Sequence, residues 1–257
     1  MNLLFTVCGR AGSKGIKGKN FREFLGHPLL FYTFAAIVLY RDKHPEHHID
    51  IALNTDSPEM KAMIEGNKQI NALIVPRKKD LAGDSVAKKL VIEDTLNETE
   101  KITGVAYDLV VDLDITSPLR TIGDIEALLD KAGTLEYDVV FSVVDARRNP
   151  YFNMVKENED GTVSLVCPGE YTARQQCPPV YDMDASMYAY KPKFLRDDTM
   201  LLAGKCGIIR RNDTAVLDLD SEVDFEYMQV IAKHLTFNKK DLGLKEILYK
   251  VKNFIEL

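Results

Sequence analysis

The chain has 257 residues, 46% hydrophobic and 28% charged, with a formal net charge of −6; this suits one large soluble domain with a real core and excludes the broad basic footprint of a nucleic-acid binder. Cys8, Cys167, Cys177 and Cys206 form no C-x-x-C pair, which excludes zinc spacing and a disulfide scaffold and points to buried or half-buried thiols in a reducing cytoplasm. The apolar opening over residues 2–7 is too short for an export signal and no apolar run reaches membrane-spanning length, so a cytoplasmic protein with no membrane partner is expected.

Residues 3–7 are a short apolar run ending in a glycine-rich loop, the pattern of a buried strand. Residues 28–40 have helical length, with Pro28 expected at the first helical position. A strand over 49–55 precedes a small helix over 57–66, with Ser57 as N-cap, Pro58 in the first turn and Gly66 past the end. A short strand over 71–76 follows, then an amphipathic helix over 84–101 with Val86, Leu90, Val91 and Leu96 on one side. Next come a strand over 107–114, a helix over 121–133 and a strand over 137–144. This alternation predicts an α/β fold, a mainly parallel sheet with helices on both faces. The pattern then changes. Residues 151–166 read as a β-hairpin turning at Glu159-Asp160-Gly161. Residues 167–184 are irregular and hold Pro168, Pro178 and Pro179, and strand character returns over 185–190. A C-terminal helix begins at a good cap, Ser221. Residues 146–183 therefore read as an insertion into a single domain.

In open α/β sheets, ligands sit beyond the carboxyl ends of the strands. That singles out the loop after the first strand, Asn54-Thr55-Asp56-Ser57, and the stretch from Asp112 to Arg120. The first loop, V-C-G-R-A-G-S-K-G-I-K-G-K-N over residues 7–20, fails as a Walker loop. Ser13 stands where the first glycine belongs, and Asn20 where Ser or Thr does. Its glycines recur every three residues, the wrong spacing for a dinucleotide fingerprint. What remains is a strand-to-helix loop in which Arg10, Lys14, Lys17 and Lys19 can surround phosphates while backbone N–H groups form an anion nest. The competing reading is a solvated basic turn.

Asp218 and Asp220 alternate at period two, so on an extended segment they point the same way. Two carboxylates beside a polyphosphate suit Mg²⁺; an acid there also serves as a simple cap for the next helix. Asp114 ends a strand, and Thr121 reads equally as an N-cap. Arg77 follows a strand, and Asp84 or Ser85 opens a helix. Three of the five histidines sit in K-H-P-E-H-H, residues 43–48, where a surface loop is the simpler reading and a metal site the other.

In this order, these segments resemble the CMP-sialic acid synthetase family of cytidylyltransferases, with CMP-Kdo synthetases as more distant relatives. The family's R-x-x-S-K-G and K-N appear as Arg10, Ser13, Lys14, Gly15, Lys19 and Asn20. Its S-T-D appears as Asn54-Thr55-Asp56, its R-P…L-A-x-D in part as Arg77, Leu81, Ala82 and Asp84, and its Q-P-T-S-P-L-R as the segment from Asp114 to Arg120. Its R-Q is Arg174-Gln175, and its D-x-D-x-E-x-D is Asp218, Asp220, Glu222 and Asp224. Two positions depart from the sialic acid enzymes. Asp114 replaces a glutamine, and Phe152 or Asn153 stands where a lysine belongs. These variants, with R-R-N-P-Y-F-N over 147–153, look more like the bacterial CMP-legionaminic acid synthetases.

The resemblance implies a three-layer α/β/α, Rossmann-like nucleotide-diphospho-sugar transferase fold. One cytidylyltransferase domain would span 1–257, with 146–183 as an inserted dimerisation hairpin that reaches into the partner's site. It implies that CTP and a nonulosonic acid, N,N'-diacetyllegionaminic acid, give the CMP-sugar and pyrophosphate for glycan biosynthesis. Arg10, Ala11, Gly12, Ser13, Lys14, Lys19 and Asn20 would hold the triphosphate, and Arg77, Ala82 and Asp84 the cytosine and ribose. Asp114, Arg174 and Gln175 would face the sugar, and Asp218 and Asp220 would hold Mg²⁺ or Mn²⁺. Arg10, Lys19, Asp218 and Asp220 would be catalytic, in a homodimer. The alternatives are a CMP-N-acetylneuraminate or other sugar nucleotidyltransferase and, from another class, a non-catalytic nucleotide-binding protein.

Overall fold

The computed structural model describes residues 1–12, 15–83, 85–212, 219, 221–238 and 242–254. In chain order the elements are β1 (Asn2–Gly9), β2 (Glu23–Phe24), β3 (His27–Pro28), α1 (Leu29–Lys43), β4 (His48–Thr55), α2 (Pro58–Ile64), β5 (Leu73–Pro76), α3 (Lys88–Thr103) and β6 (Leu109–Leu113). There follow α4 (Ile122–Ala132), β7 (Val139–Asp145), β8 (Val155–Glu157), β9 (Val163–Leu165), β10 (Tyr181–Tyr190), α5 (Pro192–Arg196), β11 (Cys206–Arg210), α6 (Glu222–Lys233) and α7 (Leu244–Asn253). Seven strands form the central sheet in the order β11-β7-β10-β6-β1-β4-β5. All pairings are parallel except those of β10, which runs antiparallel between β6 and β7.

β1 is the axis of the sheet. Leu3, Leu4, Phe5 and Val7 are fully buried, because both faces of a parallel sheet are covered and a continuous apolar run has nowhere polar to point. On one face Leu3, Phe5 and Val7 pack with α1, α4, α6 and α7; on the other Leu4 meets Ile92 and Leu96 of α3 and Phe194 and Leu195 beside it. Register decides where the loops emerge. Gly9 pairs with Thr55, and Thr55 with Pro76, so β1, β4 and β5 finish side by side. Gly9 leaves no room for a side chain: a Cβ there would lie 2.8 Å from Ile115 Cδ1 and 2.9 Å from Met60 Sδ.

The local signals act as expected at three helix starts. Ser57 accepts from the Met60 N–H, while Thr121 with Asp124 and Ser221 with Asp224 form reciprocal capping boxes. Four features differ from the sequence expectation. Pro28 precedes α1 rather than opening it, because it pairs with Glu23 in a two-residue bridge. α3 starts at Lys88, after a turn. β10 begins at Tyr181, four residues early. It is also bulged between Met183 and Tyr188, with Ala185 at φ 50°, a left-handed conformation costly for a residue with a Cβ. The edge strand β11, C-G-I-I-R with a glycine inside, has little strand character of its own and exists through its pairing with β7. Residues 146–180 leave the sheet between β7 and β10 and carry the β8–β9 hairpin, whose turn places Gly161 at φ 78°.

Candidate active site

The opening loop is tied down by its neighbours. The Ala11 N–H donates to Asp56 Oδ1 at 2.7 Å, and Asn20 Nδ2 donates to the Arg10 carbonyl at 3.3 Å. Gly18, at φ 64°, supplies the left-handed step into the 3-10 turn Lys19–Phe21. Lys19 Nζ donates to the carbonyl of Leu219 at 2.7 Å. Arg77 is aimed by Asn54: its Nε donates to Asn54 Oδ1 at 2.8 Å and an η nitrogen to the Asn54 carbonyl at 3.2 Å. Arg10, Lys19, Arg77 and Lys88 thus line one cleft of about 260 Å³, with Cys8 in its wall. Gly12 and Asn20 also line it; Ala82 sits at the end of the 3-10 turn Lys79–Leu81 beside it. The cleft concentrates positive charge on a chain that is acidic overall, which is what a polyanion requires. Ser13, Lys14, Asp84, Asp218 and Asp220 lie outside the described residues. Leu219, which separates the last two in sequence, is fully buried.

At the floor of this cleft stands a group that the motifs alone do not announce. Lys88 Nζ lies 2.7 Å from Asp112 Oδ2 and 2.7 Å from Asp114 Oδ2. Asp112, fully buried, also accepts from Thr6 Oγ1 at 2.8 Å, and Asp114 Oδ1 accepts from the N–H and hydroxyl of Thr116. Burial alone would push the Asp114 carboxyl up; Lys88 and the Thr116 hydrogen bonds outweigh it and hold the group well below the usual carboxylate range. Burial would lower Lys88, but the two aspartates raise it well above an ordinary lysine. The Cys8 thiol is pushed up, first by burial and then by Asp112, so it is no nucleophile.

Lys88 and Asp114 also line a second cavity of about 730 Å³. Its surface is mostly apolar, from Leu90, Tyr188, Tyr190, Leu195, Met200 and Leu201, with Lys89, Glu93, Arg196, Asp197 and Asp198 also lining it. Tyr188 and Tyr190 share a face of β10, with their rings stacked at 5.7 Å. The two cavities therefore meet at one lysine–carboxylate group.

Beneath that group lies a layer of buried charge. Arg120, 1% exposed, donates to Thr33 Oγ1 at 3.0 Å, to the Asp114 carbonyl at 2.6 Å and to the Ser186 carbonyl at 3.1 Å. Burial, with Arg211 nearby, brings its pKa down to about 10. Arg211 donates to Asp184 Oδ2 at 2.8 Å and to the Leu119 carbonyl at 3.1 Å, and Asp184 Oδ1 accepts from the Ser142 hydroxyl. The β10 bulge turns Asp184 inward to meet this arginine. Arg120 thus holds the backbone at Asp114 in place from below.

Arg174 and Gln175, expected to face the sugar, line neither cavity of their own chain. Arg174 donates to the Ala146 carbonyl within the insertion, on the 3-10 turn Arg174–Gln176. The histidine loop brings one ligand atom each of His44, Glu46 and His47 within 4.8 Å of one another. Their hydrogen bonds account for the cluster: His44 to Glu46 and Glu126, and His47 to the Met1 amine. All four cysteines are half-buried and free. No helix among the described residues is long and apolar enough to cross a membrane. Lys88 and Asp112 were missed by sequence reasoning. A signal existed for the aspartate, since Asp112 and Asp114 stand two apart on a strand and so share a face. Lys88 sits between Val86 and Leu90 in a helix read for its apolar side.

The cytidylyltransferase family pattern matches residues 5–233. The chain is 32% identical to the post-translational flagellin modification protein B of Campylobacter coli, and 31% identical to the CMP-N,N'-diacetyllegionaminic acid synthase of Campylobacter jejuni. Each alignment covers 93% of this chain and 98% of the relative. In fold it resembles a CMP:2-keto-3-deoxy-manno-octonic acid synthetase solved with CTP, at a TM-score of 0.62 and 15% identity over 90% of this chain and 98% of that one. With its mainly parallel α/β sheet and a cationic cleft at the carboxyl ends of the strands, the chain belongs to the cytidylyltransferase family and is a cytidylyltransferase.

Proposed function

We propose that the enzyme joins CTP to an acidic nine-carbon sugar, with N,N'-diacetyllegionaminic acid preferred, giving the CMP-sugar and pyrophosphate in the cytoplasm. The observation that carries this reading is the meeting of two cavities of opposite character, one cationic and one apolar, at Lys88 and Asp114. The activity for which the Campylobacter jejuni relative is named supports the same substrate. A diacylated, deoxygenated sugar presents methyl groups that Leu90, Leu195 and Met200 can cover. The polar groups of such a sugar would meet Asp114, Lys89 and Glu93 in the same cavity.

In this reading Arg10, Lys19 and the loop amides take the triphosphate, and Arg77 with the Ala82 turn takes the nucleoside. The sugar's anomeric hydroxyl attacks the α-phosphorus in line and pyrophosphate leaves, so the protein contributes mainly position and charge. Asp218 and Asp220 would hold Mg²⁺ or Mn²⁺, which when bound neutralises phosphate charge. Two carboxylates fit a hard cation, and Leu219, which stands between them in sequence, accepts from Lys19 of the opening loop.

A homodimer completes the proposal. Val155 and Val163 on the β8–β9 hairpin are 61% and 65% exposed, beside exposed Met154 and Val166, a cluster that a second copy would cover. Arg174 and Gln175 would then serve the partner's site. Light scattering should return twice the chain mass, and a monomer would refute this part. The activity is tested by pyrophosphate release from the four NTPs paired with legionaminic, neuraminic, pseudaminic and Kdo acids. CTP with diacetyllegionaminic acid should give the highest kcat/KM; a different best pair overturns the substrate assignment.

A further inference from the structure

Lys88 has three N–H donors and two of them face carboxylates. Asp114 has roughly four lone-pair positions in all. Three are met by Lys88 and by the N–H and hydroxyl of Thr116. Its side chain is still 25% exposed, while that of Asp112 is fully enclosed. One lysine donor and one Asp114 acceptor position are therefore left at the junction of the two cavities. One cation between two anions leaves the group net negative. It is thus suited to receive a hydrogen-bond donor, not a second anion.

Resting on the reading above, we infer that Lys88 is a positioning and selectivity residue that clamps Asp112 and Asp114 together, so that Asp114 offers a fixed acceptor to a hydroxyl or amide N–H of the acidic sugar. Asp112 in β6 and Asp114, one residue past its end, both face the Lys88 ammonium, and without it they are like charges in a shared enclosure. The groups around them offer little relief. Cys8 on β1, with Tyr188 and Tyr190 on β10, are all held neutral, and Asp184 adds negative charge. Arg120 reaches the Asp114 carbonyl rather than its carboxylate, and Arg77 is engaged by Asn54. With Lys88 gone, one carboxyl takes up a proton near neutrality. Asp114 then changes from acceptor to donor, or swings away.

The test uses the full-length protein, CTP and diacetyllegionaminic acid, comparing wild type with Lys88→Met, Lys88→Arg and the double variant Lys88→Met/Asp112→Asn. Lys88→Met should lower kcat/KM for the sugar by roughly 100-fold while the KM for CTP moves less than about 3-fold, and its rate should gain an acid limb at about pH 6–7. Lys88→Arg should recover most of the rate. The double variant removes one of the two like charges, so the acid limb should retreat although the lysine is still missing. It also serves as the test if Lys88→Met fails to fold. A wild-type pH profile and sugar kcat/KM in Lys88→Met overturn the inference, as does an acid limb that Asp112→Asn leaves in place. A wild-type enzyme inactive on every acidic sugar would instead overturn the proposed function, which separates the two failures.

Discussion

Lys19 and Leu219, 200 residues apart in sequence, are joined by a 2.7 Å hydrogen bond from the lysine ammonium to the leucine carbonyl. This bond ties Leu219, three residues before α6, to the opening loop. Lys19→Met should therefore lower kcat by about 10²–10³-fold, the usual scale for losing one charged donor at a developing phosphate charge. Steady-state pyrophosphate release measures it. A variant with full kcat would remove Lys19 from the reaction.

Asp114 receives Lys88 on one oxygen and Thr116 on the other. Asp114→Gln keeps an acceptor and adds an amide donor, but it discards the charge that pairs with Lys88. The variant should shift the ratio of kcat/KM values toward N-acetylneuraminic acid, by about 10-fold or more for one altered hydrogen bond in an enclosed site. A ratio equal to that of the wild type would show that Asp114 does not discriminate between sugars.

Arg211 and Asp184 form an enclosed ion pair, with side chains 1% and 0% exposed. Removing one partner of such a pair strands the other charge, so Arg211→Met should destabilise the fold by roughly 3–5 kcal/mol. Urea unfolding would report this as a lower midpoint. Because Asp184 and Ser186 lie within the β10 bulge, on either side of Ala185 in the wall of the second cavity, the sugar KM should also rise more than the CTP KM. An unchanged midpoint would mean that the pair contributes nothing to stability.

His44 carries a pH-dependent part of the stability. Burial lowers its pKa, but the hydrogen bonds to Glu46 and Glu126 prevail and raise it above the ordinary value. A raised histidine stabilises fully below the unfolded pKa of about 6.5 and loses that contribution as pH rises through the folded value. His47 runs the other way, lowered by burial and by the Met1 amine. The comparison must therefore be with His44→Ala alone: between about pH 6 and pH 8 the stability difference between wild type and variant should shrink. A difference that stays constant with pH would exclude the His44 contacts as its source.

Much of the architecture was legible because it rests on short-range chemistry. Ser57, Thr121 and Ser221 cap helices through groups three residues away, and apolar runs such as Leu3–Val7 have to be buried wherever they fall. The opening loop stood out for the same reason, since its glycines and cations are contiguous, and Arg10 and Lys19 line the cleft. Lys88 and Asp112 were not. A lysine in an amphipathic helix and an aspartate inside a strand have no chemistry until the start of α3 is brought to the end of β6. The short strand β11 and the early, antiparallel start of β10 likewise depend on partners distant in sequence.

By itself, then, the sequence determined an α/β scaffold with a glycine- and cation-rich loop after its first strand, because local periodicity, caps and contiguous charges need no distant partner, and its motifs in order carried the resemblance to the cytidylyltransferases. Only the tertiary structure decided that the cationic cleft and the apolar cavity meet at Lys88 and Asp114, because that junction is made by register and packing between elements that the chain order keeps apart.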